Sequence, residues 1–306
     1  MSAPTNTYKH SSVIGVREDL EDMVTNISPI DTQFYTGCKK KKGTQVKYEW
    51  LTESVRAAAA NAQAEGDDPT ATAVTPAVRL SNTMQTQAVT FRISDIVEAV
   101  KAAGDVNSEA HQTVLFSKAL AKDIELDFLT STENTSDTYK MKGALNWCTS
   151  NVGKSGTATV NANGTITGGT ARVLTEDMVK DVMQDIFTAG GDPKKIFCGP
   201  FQKRAFSAFV GTSTYRQLVE KSKVGTNVDV YVTDFGELSI VPHRVMPTDV
   251  LFIPDMDYWG KAVLIPTGKT RLAKTGRSEI LDISVTHTVV AYNEAASGRV
   301  VDLQTS

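Results

Sequence analysis

The sequence is poor in the side chains on which most metal and catalytic chemistry depends. Three cysteines, Cys38, Cys148 and Cys198, stand far apart with no C-x-x-C pairing. That pattern signals neither a disulfide framework nor a zinc site and is expected of a chain maturing in a reducing cytosol. Four histidines, His10, His111, His243 and His287, are scattered without an H-x-x-x-H pair to make a metal face on a helix. No G-x-S-x-G elbow occurs, since GTSTY carries Tyr215 where the second glycine belongs. No apolar run approaches the ~18 residues of a membrane span. The opening MSAPTNTYKHSS lacks the apolar core of a cleaved signal, so neither membrane insertion nor secretion is expected. Basic excess is missing too: 32 Lys and Arg against 35 Asp and Glu leave a net charge of −3, which excludes a broad cationic face for nucleic acid. Any contact with nucleic acid has to be local.

What is present is an ordinary globular composition. The 306 residues are 41% hydrophobic and 22% charged, enough for a sizeable core and about two domains. Within this, RAAAANAQAEGDDPTATAVTPAVR, from Arg56 to Arg79, holds almost nothing to bury; its largest aliphatic side chains are two valines. A structureless stretch of that length inside a compact domain is functional or held by something outside the subunit. Its flanks read as strands. VKYEW puts Val46, Tyr48 and Trp50 on one face, and AVTFRIS puts Val89, Phe91 and Ile93 on one face. Paired over ~10 residues each, they predict a ribbon ~30 Å long or more. Such a ribbon is marginal alone in water, so it is expected to lie across a neighbouring copy of the chain.

Elsewhere the pattern is α+β without βαβ alternation. Residues 1–14 read as an arm. Val16, Leu20, Met23, Val24 and Ile27 recur at helical spacing up to Pro29. SEAHQTVLFSKALAKDIELDFLTST predicts the longest helix, with Ala110, Val114, Ala121, Ile124 and Phe128 on one stripe and Phe116 and Leu120 widening it. The Gly/Thr/Asn-rich segment from Asn151 to Arg172 reads as loop or hairpin. A helix beginning on Thr175 ends at a Gly pair suited to a cap, KKIFCG is a strand, and Pro200 opens a short helix. From Tyr231 onward strands dominate: VYVTDFGELSIVP, DVLFIP, KAVLIP and ILDISVTHTVVAY.

Two fragments imitate a phosphate loop. CTSNVGKS ends in Gly153, Lys154 and Ser155, and VLIPTGKT in Gly268, Lys269 and Thr270, but Cys148 and Val263 occupy the position where the wrapping glycine is needed. Carboxylates gather at Glu18–Asp22, at Asp67 and Asp68, along Asp123, Glu125 and Asp127, and at Asp255 and Asp257. They read as solvated faces and turns, because none pairs with a base or nucleophile. Lys39, Lys40, Lys41 and Lys42 form a basic run that reads as a solvated strand lead-in or as a local phosphate contact. No catalytic residue, metal ligand or cofactor is indicated.

GVREDLEDMVTNISPIDTQFYT, the hairpin VKYEW…NAQAEGDDP, and WGKAVLIPTGKTRLAKTGRSEI followed by a strand ending in NEAASGRVVDL together resemble tailed-phage major capsid proteins of the Hong Kong 97 fold. The resemblance covers nearly the whole chain, and narrows to the branch lacking a long cleaved scaffold region. It implies an arm over 1–14, a peripheral domain over 15–43 and 95–137 with a spine helix from about Ser108 to Thr130, and an extended loop over 44–94. It further implies an axial domain over 138–245 and a return to the peripheral sheet over 246–306. Val46, Tyr48, Trp50, Arg56, Asp67, Asp68, Arg79 and Phe91 then become candidates for contact between subunits, and Lys39 to Lys42 candidates for facing DNA. The implied partners are copies of the chain in hexamers, pentamers and a closed shell, a portal, scaffolding or decoration proteins, and non-specifically packaged double-stranded DNA; the implied location is the virion, assembled in host cytoplasm. Some relatives crosslink a loop lysine to a neighbour's asparagine. No lysine lies between Lys47 and Lys101 here, so the expected shell is non-covalent. A protein-cargo shell of the same fold, a tail or baseplate component and a nucleotide-hydrolysing enzyme are the alternatives.

Overall fold

A computed structural model describes residues 32–56, 58–63, 65–66, 68, 73–99, 109–136, 138–209, 230–274 and 276–305. The arm, the helix expected from Val16, GTSTY and Asp67 lie outside the described residues. Helix α1 (Gln33–Gly37) leads into strand β1 (Lys39–Lys42), and β2 (Lys47–Thr52) and β3 (Val78–Thr83) flank the bare segment. After β4 (Gln85–Ser94) come α2 (Asp95–Ala99), the long α3 (Glu109–Thr130) and α4 (Ala144–Trp147). The middle of the chain holds β5 (Asn151–Gly153), the hairpin β6 (Thr159–Val160) and β7 (Ile166–Thr167), α5 (Glu176–Thr188), β8 (Lys195–Cys198) and α6 (Pro200–Phe209). The C-terminal part runs through β9 (Val230–Thr233), β10 (Gly236–Pro242), β11 (Leu251–Ile253), β12 (Trp259–Arg271), β13 (Ser278–Ala291) and β14 (Gly298–Val300).

Two sheets organise these elements. One has the order β1-β12-β13-β4, the other β5-β14-β11-β8-β10-β9. The mixture of parallel and antiparallel neighbours is the α+β arrangement expected. In the first sheet Phe91, Ile93, Leu281, Ile283 and Val285 face α3, whose Leu120, Ile124, Phe128 and Leu129 are buried against them. The stripe expected on α3 is buried only in its C-terminal half, because Val114 is exposed while Phe116 stacks on Phe91 at 4.6 Å between centroids. The same core reaches the second sheet through Phe197 and Phe252, which meet the Phe34 ring edge-on. Helices α5 and α6 cover the second sheet with Val179, Met183, Ile186 and Phe206. Gly190, at φ +89°, closes α5: its N–H bonds the Phe187 carbonyl and that of Gly191 the Ile186 carbonyl, satisfying two terminal carbonyls.

Two expectations are corrected. The strand facing VKYEW is β3, not AVTFRIS: Lys47 to Thr52 pair with Thr83 to Val78, whereas Gln85 to Ser94 pair with β13. Between them only Met84 intervenes. Its buried side chain and its N–H bond to the Val46 carbonyl pin the point where the chain leaves the ribbon for the sheet. The C-terminal strands also divide. Strands β12 and β13 complete the four-stranded sheet, but β11 and β14 insert between β5 and β8 in the six-stranded one, so 246–306 serves both.

Candidate assembly interface

The bare segment rises from a firmly built root. Trp50 is buried with Met84, Ala262 and Val290, its ring 5.5 Å from that of Trp147. Asn82, fully buried on β3, satisfies its whole amide: Nδ2 donates to the carbonyls of Lys142 (3.0 Å) and Val289 (2.8 Å), and Oδ1 accepts from the N–H groups of Lys142 (2.8 Å) and Thr83 (2.9 Å). One side chain thereby ties the ribbon to β13 and to the segment before α4. Nothing in the sequence distinguished it beyond an Asn in a strand, where that residue is disfavoured and needs a reason.

Beyond the root, support ends. The paired ribbon is six residues per strand, ~20 Å at strand rise. Every described residue from 53 to 79 is exposed. Leu51, Val55, Val74 and Val78 present apolar side chains to solvent, Val55 at 96% and Val74 at 91%. Exposed on a segment that its own subunit leaves bare, these side chains are available to a covering partner.

The candidate contact residues separate accordingly. Val46, Arg56, Asp68 and Arg79 are exposed, with Arg79 paired to Glu49 across the ribbon at 3.3 Å; Tyr48 is half-buried beside Trp50. Trp50 and Phe91 are corrections. Both occupy inward-facing strand positions and are sealed within their own subunit, so neither is free to meet a neighbour. Lys39 to Lys42 form the exposed edge strand β1, paired in parallel with Gly260 to Val263, and Lys39 bonds Asp257 at 2.9 Å. Lysines on an edge strand discourage pairing with another chain.

The phosphate-loop imitations lose their geometry. Gly268, Lys269 and Thr270 lie inside β12, paired with Ser284, Ile283 and Asp282, and Lys269 is held by Glu109. Gly153 ends β5, Lys154 donates to the Ala158 carbonyl, and the Ser155 N–H already binds the Asp302 carboxylate. Neither fragment opens a helix, so no set of N–H groups converges on a phosphate. Asp255 is structural as well, accepting from the N–H groups of Asp192 and Asp257.

Glu125 corrects the reading of the α3 carboxylates as a solvated face. It is fully buried, and accepts from the N–H of Phe34 at 2.8 Å, the N–H of Tyr35 at 2.9 Å and His243 Nε2 at 3.0 Å. The signal was present: Ala121, Phe128 and Leu129, at i−4, i+3 and i+4, place Glu125 on the apolar side of the helix. His287 is buried too, its Nε2–H donating to Gln87 Oε1 (2.9 Å); burial, with Lys261 nearby, pushes its pKa down to about 4. Among the described residues no helix is long and apolar enough to cross a membrane.

Comparison with known proteins gives this architecture a context. A family model described as SU10 major capsid protein matches residues 3–304. No curated protein matches the sequence. The capsid asymmetric unit of cyanophage A-1(L) superposes with a TM-score of 0.66 at 12% identity, covering 96% of this chain and 98% of that one. The capsid of a native GTA particle gives 0.65 at 10% identity, with the same coverage. The SrpI encapsulin complex of Synechococcus elongatus PCC 7942 gives 0.59 at 8% identity, again covering 96% and 98%. The architecture is the Hong Kong 97-type capsid fold.

Proposed function

Because the chain belongs to the SU10 major capsid protein family, whose members form the shell of a phage, we propose that copies of it assemble through hexamers and pentamers into an icosahedral shell around double-stranded DNA. The observation that carries the mechanism is the ribbon. Its root is locked by Asn82 and Trp50, while every described residue from 53 to 79 is exposed. A rigid base with an uncovered end is the form of an arm that a second subunit completes. Contacts of this head-to-tail kind close into rings, and rings tile a shell.

Several finer features belong to this reading. The extended loop over 44–94 overlaps the adjacent subunit, α3 is the spine of the peripheral domain, and the six-stranded sheet belongs to the axial domain around the centre of each capsomer. Net charge −3 suits a container that must release its contents, and the exposed lysines of β1 offer local, non-specific contact with packaged DNA. A portal and scaffolding or decoration proteins are the further partners, assembly takes place in host cytoplasm, and the chain catalyses no reaction. With no lysine from 48 to 100, the part of the ribbon beyond Lys47 supplies no amine for a covalent link.

Deleting residues 57–77 tests the mechanism. The variant is expected to melt within a few degrees of the parent chain, because the described residues of the segment are all exposed, and to remain unassembled by size-exclusion chromatography. Shells of normal size from the deleted chain would remove the ribbon from the mechanism.

A further inference from the structure

Helix α1, helix α3 and the end of β10 meet at one carboxylate. Helix α1 has no side-chain cap of its own, and Thr32 makes no capping bond. Glu125, reaching across from α3, takes the N–H groups of Phe34 and Tyr35 in its place. His243 follows directly on β10, and its own N–H is bonded to the Cys198 carbonyl at 2.8 Å. The ring accepts the Val245 N–H at Nδ1 (3.3 Å), which leaves the proton on Nε2 to donate to Glu125 Oε1. Both side chains have zero exposure. Segments 33–37, 109–130 and 243–245 therefore share one fully enclosed polar junction.

We infer that the Glu125–His243 pair is a latch that fixes the angle between the six-stranded sheet and the α1–α3 body, and thereby the curvature of the shell; this rests on the proposed shell function. A buried carboxylate is tolerated only while its donors remain in place. None of the three segments can withdraw alone without stranding the others' polar groups, so the junction holds or opens as a unit. Its position gives it leverage. Helix α1 continues within two residues into β1 and then to the ribbon root at Lys47, whereas His243 continues β8 and β10 of the other sheet. A ribbon lying on one neighbour and a sheet facing others are thus joined by the apolar packing of Phe34 on Phe197 and Phe252 and by this one enclosed polar contact.

Two full-length variants test the latch. Glu125→Gln keeps the side chain's shape but removes its charge and one acceptor. His243→Phe removes the ring donor and leaves the α1 contacts. Both are read by amide hydrogen exchange on the subunit and by shell diameter in electron microscopy. Both variants are expected to fold, with exchange at least tenfold faster at Phe34 and Tyr35 in the first and at Val245 in the second. Their shells are expected to show a broadened range of diameters or open sheets, and His243→Gln, which restores a donor, to narrow that range. Shells of parental diameter from both variants would overturn the inference. So would loss of fold in either, which would make the pair a general support of the core. If the unmodified chain forms no shell, it is the shell reading that fails, and the exchange data still decide whether the junction opens locally.

Discussion

Asn82→Ala removes the four hydrogen bonds that tie the ribbon root to β13 and to Lys142. The site has zero exposure, so water does not readily replace the lost amide. Each such bond contributes about 1 kcal/mol net, and a stranded buried donor or acceptor costs about 1–3 kcal/mol. Partial relaxation around a small cavity brings the total to about 3–5 kcal/mol. At roughly 2–4 °C per kcal/mol for a large domain, melting falls by about 10 °C. Asn82→Asp separates the contributions: its carboxylate still accepts from Thr83 and Lys142 but cannot donate to the Lys142 and Val289 carbonyls, and it introduces a buried charge. It is expected to be no more stable than the alanine variant. Urea titration followed by tryptophan fluorescence provides the measurement, since Trp50 and Trp147 flank the root. A loss below about 1 kcal/mol for Asn82→Ala would refute the account of how the root is held.

Three further outcomes follow from the same structure. His287 is buried neutral with its pKa lowered from 6.5 to about 4, so the unfolded chain binds the extra proton first; stability is complete above pH 6.5 and falls as pH drops toward 4, by up to about 3 kcal/mol. Urea midpoints between pH 7 and pH 4 for the parent and His287→Gln check this, with the parent showing the steeper loss. Magnesium-ATP is expected to leave the melting temperature unchanged, because Gly268 to Thr270 are strand residues; a shift of several degrees by calorimetry would reopen a nucleotide site. Assembled shells boiled in detergent are expected to run as a single 33.1 kDa band, and a ladder of multimers would contradict a non-covalent shell.

Much of the architecture was legible in local pattern. Helix α3, the glycine pair closing α5, Pro200 at the start of α6 and the strand-rich C-terminal part each carry their signal within a few residues. Partnership was harder to read. Alternation shows that Trp50 and Phe91 face inward, yet it does not say whether their own subunit or a neighbour covers them, and each is covered at home. AVTFRIS reads as a strand, but β3 begins inside the bare stretch, and the change of partner at Met84 depends on a residue far away in sequence, Val46. Strands β11 and β14 joined the six-stranded sheet by pairing that no local pattern encodes. Glu125 escaped because a carboxylate among Lys122, Asp123 and Asp127 looks solvated, although its apolar neighbours one turn away mark it as buried. The bare segment itself was plain from composition, since it contains too little to bury.

The central claim is that this chain builds a closed shell through its ribbon. Electron microscopy of the purified full-length protein, taken across a concentration series after size-exclusion chromatography, tests it most directly. Hexamers and pentamers converting to closed icosahedral particles, with density for residues 53–79 lying on an adjacent subunit, are the predicted result. A chain that stays monomeric at every concentration, even when its neighbouring genes are co-expressed, or that forms only open tubes, would contradict it.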